Sequence, residues 1–231
     1  MDMNRNFTAI CAALLMCAFL IVFYVSPKLA KSTVAFAENS DGKVIYLTFD
    51  DGPSDRVTPK ILDVLKEEAV KATFFIVGKH AETRKYILKR EFEEGHTIAI
   101  HSYSHNYSEI YSSPESLLAD IDKCNKIIEE ITGERSSLYR FPGGSYGLSS
   151  SLINTISQHG YRYVDWNAST RDAEIYGATP DQLYKAAVTT PANSNYIVML
   201  AHDTTTKSAT ADALKDIIRY YKKQGYTFRA F

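Results

Sequence analysis

Cysteine is scarce in this 231-residue chain, with three in all, and two of them (Cys11 and Cys17) fall inside one apolar run near the N-terminus. The third, Cys124, has no partner left for an internal bridge, so a disulfide-stapled scaffold is excluded. Charge of one sign is lacking too. The 26 Lys and Arg residues almost balance 27 Asp and Glu, which removes the general basic surface that nucleic-acid binding calls for. No internal repeat, low-complexity tract or second linker interrupts residues 41–231, which therefore read as one domain. A hydrophobic share of 45% excludes wholesale disorder.

What the chain has instead is one long uncharged stretch. Phe7–Val25 is 19 consecutive residues without a charge. A bilayer core needs about 20 apolar residues in a helix, whereas a secretory apolar region usually runs about 7–15. Arg5 precedes the stretch and Lys28 and Lys31 follow it, so the flanking charges set no orientation. Ala35-Phe36-Ala37 is a small-x-small sequence of the kind cleaved behind signal peptides, the alternative to a retained anchor. Cys17 lacks the small neighbours of a lipoprotein site and reads as apolar filling. Residues 1–25 are thus expected to be an apolar helix acting as signal or transmembrane segment, and 26–40 a linker. Residues 41–231 would work outside the cytoplasm, either anchored at the cell surface or secreted.

Beyond the linker, strand and helix patterns alternate. β-branched and aromatic runs recur at Val44–Phe49, Ala72–Val77, Thr97–Ile100, Leu138–Phe141, Tyr161–Trp166, Tyr196–Leu200 and Tyr226–Phe231. Leu117, Ile121, Cys124, Ile128 and Ile131 recur at helical spacing and form one apolar stripe, which places Cys124 in the core. Thr58-Pro59, Ser113-Pro114 and Thr179-Pro180 each offer a capping hydroxyl followed by a proline suited to a first turn. Gly133 and Gly225 suit the left-handed position after a helix. The alternation predicts an α/β protein with about seven parallel strands, as a barrel or an open doubly wound sheet. In both, chemistry gathers beyond the C-terminal strand ends.

Those ends carry polar residues. The first strand runs into Asp50-Asp51-Gly52-Pro53, where adjacent carboxylates repel unless a cation or Arg neutralises them. The third ends His101-Ser102-Tyr103-Ser104-His105; two His four apart share one face of a helical turn and can reach one metal. The fourth runs into Arg140-Phe141-Pro142-Gly143-Gly144-Ser145, an Arg able to hold a carboxylate and glycines able to offer backbone N–H groups. The fifth ends Asp165-Trp166-Asn167, with Asp172 shortly after, and the sixth ends Ala201-His202-Asp203. Taken singly, each has a plainer reading as a turn or a solvated polar residue. Together, an Asp-His-His set with open coordination positions suits a catalytic metal. His80, His96 and His159 fall in predicted helices or at their ends and receive no role.

Thr48-Phe49-Asp50-Asp51-Gly52, His101-Ser102-Tyr103-Ser104-His105, Arg140-Phe141-Pro142-Gly143-Gly144 and Leu200-Ala201-His202-Asp203 occur in that order. Together they resemble the polysaccharide deacetylases, the NodB-homology or carbohydrate esterase family 4 enzymes, over about residues 41–231. The resemblance implies a distorted, incomplete (β/α) barrel, in keeping with a domain shorter than the usual barrel of about 250 residues. It implies Asp51, His101 and His105 as ligands of one divalent metal, zinc ahead of cobalt or manganese. It makes Asp50 the catalytic base, Arg140 its orienting partner and His202 the general acid. Asp172 would orient His202, with Asp165 the alternative. Gly143 N–H would bind the oxyanion, and Trp166 and Leu200 would wall the acetyl methyl. Two departures stand out: Ala173 where the family often has Trp, and Gly143 where an aromatic is usual. The implied activity is N-deacetylation of N-acetylglucosamine residues in a cell-envelope polysaccharide, peptidoglycan first, then chitin-like glycan, then acetylxylan. A non-catalytic glycan-binding module and a metal phosphoesterase are the competing readings.

Overall fold

The computed structural model describes residues 42–231. The apolar run Phe7–Val25, the linker and Ala35-Phe36-Ala37 lie outside the described residues. Among those described, no helix is long and apolar enough to cross a membrane.

The chain begins with β1 (Val44–Asp50), α1 (Val57–Glu67), β2 (Thr73–Val77), α2 (Gly78–Thr83), α3 (Lys85–Glu93) and β3 (Thr97–Ser102). It continues through α4 (Tyr107–Ile110), α5 (Pro114–Thr132), β4 (Leu138–Tyr139), α6 (Ser150–Gln158), β5 (Arg162–Tyr163) and β6 (Ala168–Ser169). It closes with α7 (Pro180–Thr189), β7 (Tyr196–His202), α8 (Ser208–Lys223) and β8 (Thr227–Arg229). All pairings are parallel and the strand order is β5-β4-β3-β2-β1-β7-β6, with β8 beside the first residues of β1. The sheet curls into a half-barrel. All seven expected strands are present. An eighth, β6, was not anticipated, because two residues are too few for a periodic signal. Residues 164–167 pass from one edge of the sheet to the other, and the Asn167 side chain is hydrogen-bonded to Tyr196 O and Val198 N, both at 2.8 Å.

The residues of β1 alternate between two covered faces. Ile45, Leu47 and Phe49 pack outward with Phe74, Ile76, Ile100 and Met199 against helical residues such as Ile61, Leu62, Ile121 and Ile218. Val44 and Tyr46 point inward, with Phe75, Ala99, Leu138, Val164 and Val198. Coverage on both sides leaves β1 and β2 with no exposed position and hence no polar alternation. Cys124 sits in the outer layer as expected, fully buried, its thiol donating to Ile76 O.

The inner layer changes character along the strands. Its lower end is apolar and closed by Phe231, which stacks on Tyr46 at 4.3 Å. By the two-residue period, Thr48 and Asp50 continue the face of Tyr46 toward the C-terminal rim. His202 lies beside Asp50 in the β1–β7 register, and Leu200 beside Thr48. An apolar interior that turns polar at one end fixes where chemistry can occur.

Two of the three proline-marked helix starts are as read. Ser113 and Thr179 cap α5 and α7, the latter with a full capping box to Gln182. Thr58 is different: α1 starts at Val57, and Ser54 Oγ, one turn earlier, accepts from the Val57 and Thr58 N–H groups. That leaves the Thr58 hydroxyl free to donate to Asp203 Oδ2 at 2.6 Å. Gly133 and Gly225 adopt positive φ, 80° and 81°.

Candidate active site

Asp51, His101 and His105 converge at the rim. His101 Nε2 and His105 Nε2 lie 3.3 and 3.1 Å from Asp51 Oδ1, and the three ligand atoms fall within 4.8 Å of one another. Asp51 Oδ1 is buried yet has no hydrogen-bond partner among the described residues. Two atoms sharing a tetrahedral zinc at about 2.1 Å stand roughly 3.4 Å apart, so this orphaned oxygen and the two imidazole nitrogens fit one small divalent cation. Burial pushes the Asp51 carboxyl up, but the two imidazoles more than reverse this and hold it below the carboxylate range. The orientation of His101 is imposed from behind. His101 Nδ1–H donates to Arg140 O at 2.9 Å, which aims Nε2 at the site.

The His-x-x-x-His segment is not helical, contrary to the reading of its spacing. His101 ends in β3, while His105 follows a turn and has φ of 54°. Asp120 on α5 makes the turn by accepting from Ser102 Oγ, Tyr103 N and Ser104 N at 2.6–3.0 Å. Ser102 Oγ in turn accepts from His105 N. A carboxylate reaching in from a neighbouring helix thus replaces helical backbone bonding.

Asp50 is almost fully buried between Arg140 and the triad. Arg140 Nη1 donates to Asp50 Oδ1 at 2.8 Å and to Thr48 Oγ1 at 2.7 Å. The contact with Asp50 is single, since Nε and Nη2 bond to the carbonyls of Val164 and Asp165. Asp50 Oδ2 faces the other way, 4.0 Å from His101 Nε2. The guanidinium lies on Phe75, with the Trp166 ring further out at 5.7 Å.

On the β7 side, His202 Nδ1–H donates to Asp172 Oδ1 at 2.7 Å, and its backbone N–H to Oδ2 at 2.8 Å. Thr210 Oγ1 also donates to Oδ2, so Asp172 is held at both oxygens. Asp165 instead accepts from Ser145 N and Oγ, so Asp172 is the carboxylate at His202. Burial alone would lower the His202 pKa; the Asp172 hydrogen bond and charge overcome it and raise it to about 9.

The remaining three expected residues line the same end. Gly143 is exposed with φ of 79°, and its N–H has no partner among the described residues, whereas Gly144 N–H is bonded to Phe141 O. A side chain at 143 would strike the Tyr107 ring at 3.2 Å, and one at 144 would strike Trp166 at 3.1 Å. Leu200 is buried, two residues before His202 on the inner face of β7.

Residues 37–164 match the polysaccharide deacetylase family, more than half of the chain. The chain belongs to that family. A peptidoglycan-N-acetylglucosamine deacetylase of Bacillus cereus is 34% identical over 194 residues, covering 82% of this chain and 69% of the relative. The peptidoglycan-N-acetylmuramic acid deacetylase PdaA of Bacillus subtilis is 33% identical, covering 83% and 71%. Among solved structures, the catalytic domain of a peptidoglycan N-acetylglucosamine deacetylase from Eubacterium rectale superposes with a TM-score of 0.77 at 37% identity, covering 84% of this chain and 90% of that one. A Streptococcus mutans CE4 esterase gives 0.75 at 34%, covering 82% and 86%.

Several residues that shape the site received no role from the sequence, although Thr48 and Asp203 stand within the motifs quoted above. Thr48 links Arg140 to β7, accepting from the guanidinium and donating to Met199 O. His80, given no role from its helical position, donates from Nδ1 to Asp51 O at 2.7 Å. Lys207 Nζ donates to Asp172 O at 2.7 Å. Asp203 is fully buried under Gly52, where an added Cβ would lie 2.1 Å from its Oδ2. Burial drives the Asp203 carboxyl up to about 7, against the Thr58 hydrogen bond. Each of these contacts spans long stretches of sequence, so no local pattern marks it.

Proposed function

We propose that this polysaccharide deacetylase is a metal-dependent hydrolase that removes N-acetyl groups from N-acetylglucosamine residues of peptidoglycan and releases acetate. The observation that carries the reading is the convergence of Asp51 Oδ1 with two imidazole nitrogens, flanked by a carboxylate on one side and a carboxylate-bonded histidine on the other. The peptidoglycan substrate is suggested by the relatives from both Bacillus species. The uncharged run Phe7–Val25 supports action outside the cytoplasm, as an anchored or secreted form, with residues 41–231 as the catalytic domain.

Asp51, His101 and His105 would hold the cation, zinc ahead of cobalt or manganese, which supplies Lewis acidity to the acetamide carbonyl and to the attacking water. Asp50 Oδ2, the oxygen not engaged by Arg140, takes the water proton as the water oxygen attacks the carbonyl carbon. Arg140, bonded to the other oxygen, fixes Asp50 in rotation. Gly143 N–H, unpaired and exposed at the rim, donates to the carbonyl oxygen as it gains charge, an interaction typically worth about 3 kcal/mol. His202 gives the proton on Nε2 to the departing nitrogen, the C–N bond breaks, and acetate and an amino sugar leave. Asp172 keeps that imidazole cationic and correctly turned.

Because His202 acts in its protonated form, activity falls as pH rises through its pKa of about 9. Asp172→Asn removes the charge that opposes burial, so the alkaline limb of kcat moves about 1–3 pH units downward. An unmoved limb would remove His202 from the role of acid.

The reading is tested by acetate release from peptidoglycan, N-acetylglucosamine oligomers and acetylxylan, with a chelator and then with added zinc, cobalt or manganese. Acetate from peptidoglycan that stops with chelator and returns with metal is expected. Release only from acetylxylan would shift the substrate, and hydrolysis of a phosphate ester without acetate would overturn the chemistry.

A further inference from the structure

Among the described residues only four large hydrophobic side chains are exposed, and all are tyrosines: Tyr86, Tyr107, Tyr146 and Tyr176. Tyrosine in folded proteins is ordinarily half-buried with its hydroxyl engaged. Tyr86 fits that pattern in part, donating to Asp55 Oδ1 at 3.3 Å. The other three hydroxyls meet no hydrogen-bond partner among the described residues, and Tyr146 and Tyr176 are fully exposed, at 100% and 105%.

Their positions are not scattered. Tyr107 follows β3 and stands two residues beyond His105, with its ring edge-on to that imidazole at 5.4 Å. It is braced from behind by Tyr111, whose hydroxyl donates to Pro142 O. Tyr146 lies in the loop after β4, two residues beyond Gly144, and Tyr176 in the loop after β6, four beyond Asp172. All three loops leave C-terminal strand ends, so they border the rim that carries the triad. From β4 to β6 the strand order counts five interstrand steps, about 24 Å along the curve of the sheet. That span is wider than a single pyranose.

We propose that Tyr107, Tyr146 and Tyr176 form an aromatic rim that grips the sugars on either side of the one being deacetylated, so that chains are preferred over short fragments. The inference rests on the deacetylase reading above and adds a chain-length selector to it. A β-linked, N-acetylated glycan presents flat C–H faces with hydroxyls at the ring edge. A phenol matches both, with a flat apolar face for stacking and an unpaired O–H for the edge. Tyr107 joins the rim to the site directly, since its ring meets His105 and stands where a Gly143 side chain would lie.

The test compares kcat/KM for the N-acetylglucosamine hexamer and dimer in the metal-loaded protein. In the Tyr146→Ala/Tyr176→Ala variant the hexamer-to-dimer ratio falls about tenfold, carried by the hexamer KM. Tyr107→Ala lowers the ratio as well, while Tyr107→Phe, which keeps the ring, retains most of it. Unfolding temperatures within a degree or so of the parent accompany these surface changes. An unchanged ratio in the double variant and in Tyr107→Ala would overturn the rim. Should the parent release no acetate from either oligomer or from peptidoglycan, the deacetylase reading fails separately. Calorimetric binding of the hexamer then still decides the rim: weaker binding by the double variant supports it and equal binding refutes it.

Discussion

Asp50→Asn lowers acetate release by about three orders of magnitude while metal content stays at the parent level. The substitution is nearly isosteric and removes the carboxylate charge together with the capacity to take a proton. Asp50 Oδ2 faces the triad at 4.0 Å from His101 Nε2 without belonging to it, so the cation keeps its three ligands. Arg140 would lose its carboxylate but not its other partners: Thr48 Oγ1 and the carbonyls of Val164 and Asp165 remain. Breaking a buried ion pair nevertheless costs about 3–5 kcal/mol when one charge is left without a partner, and the surviving hydrogen bonds should keep the loss toward the lower figure. The measurements are acetate release, metal content by elemental analysis and the unfolding midpoint. Full activity with metal retained would sink the mechanism, and loss of metal would instead make Asp50 a ligand.

His101→Ala is expected to reduce metal affinity by more than about a hundredfold, beyond what loss of an outer contact costs. His101 supplies one of three ligand atoms and is pinned by its other nitrogen to Arg140 O, so its imidazole is held in place for the cation. His80→Ala provides the contrast. His80 touches only the backbone carbonyl of Asp51, and its removal should cost about 10–100-fold in affinity, less than the ligand itself. Calorimetric titration of metal into the stripped proteins separates the two. Unchanged metal content in His101→Ala would refute the triad.

Much of the site was legible because parallel α/β architecture concentrates reactive groups at one end of the sheet. Once Val44–Phe49 is read as a strand, residues after it must emerge at the C-terminal rim, and the same logic places His101, Arg140 and His202. Spacing was less informative than position. The four-residue interval between His101 and His105 suggested a helical turn, whereas Asp120 folds it into an irregular one by drawing in two backbone N–H groups. Thr58 shows the same limit at a helix start: it carries the right residue for a cap, but Ser54 lies nearer the free N–H groups and Asp203 claims the hydroxyl.

By itself, then, the sequence determined the alternating strands and helices, the apolar stripe that buries Cys124, and the residues delivered to the rim. Those depend on local periodicity and on chain direction, both of which are written residue by residue. Only the tertiary structure decided which carboxylate meets His202, which atoms close on Asp51, and which tyrosines stay uncovered. Asp172 and Asp165 are alike in sequence terms; the β1–β7 register and the path of the loop after β6 bring one against His202 and leave the other on Ser145. Such choices rest on distances between segments far apart in the chain, set by how the sheet curls, and no run of neighbouring residues records them.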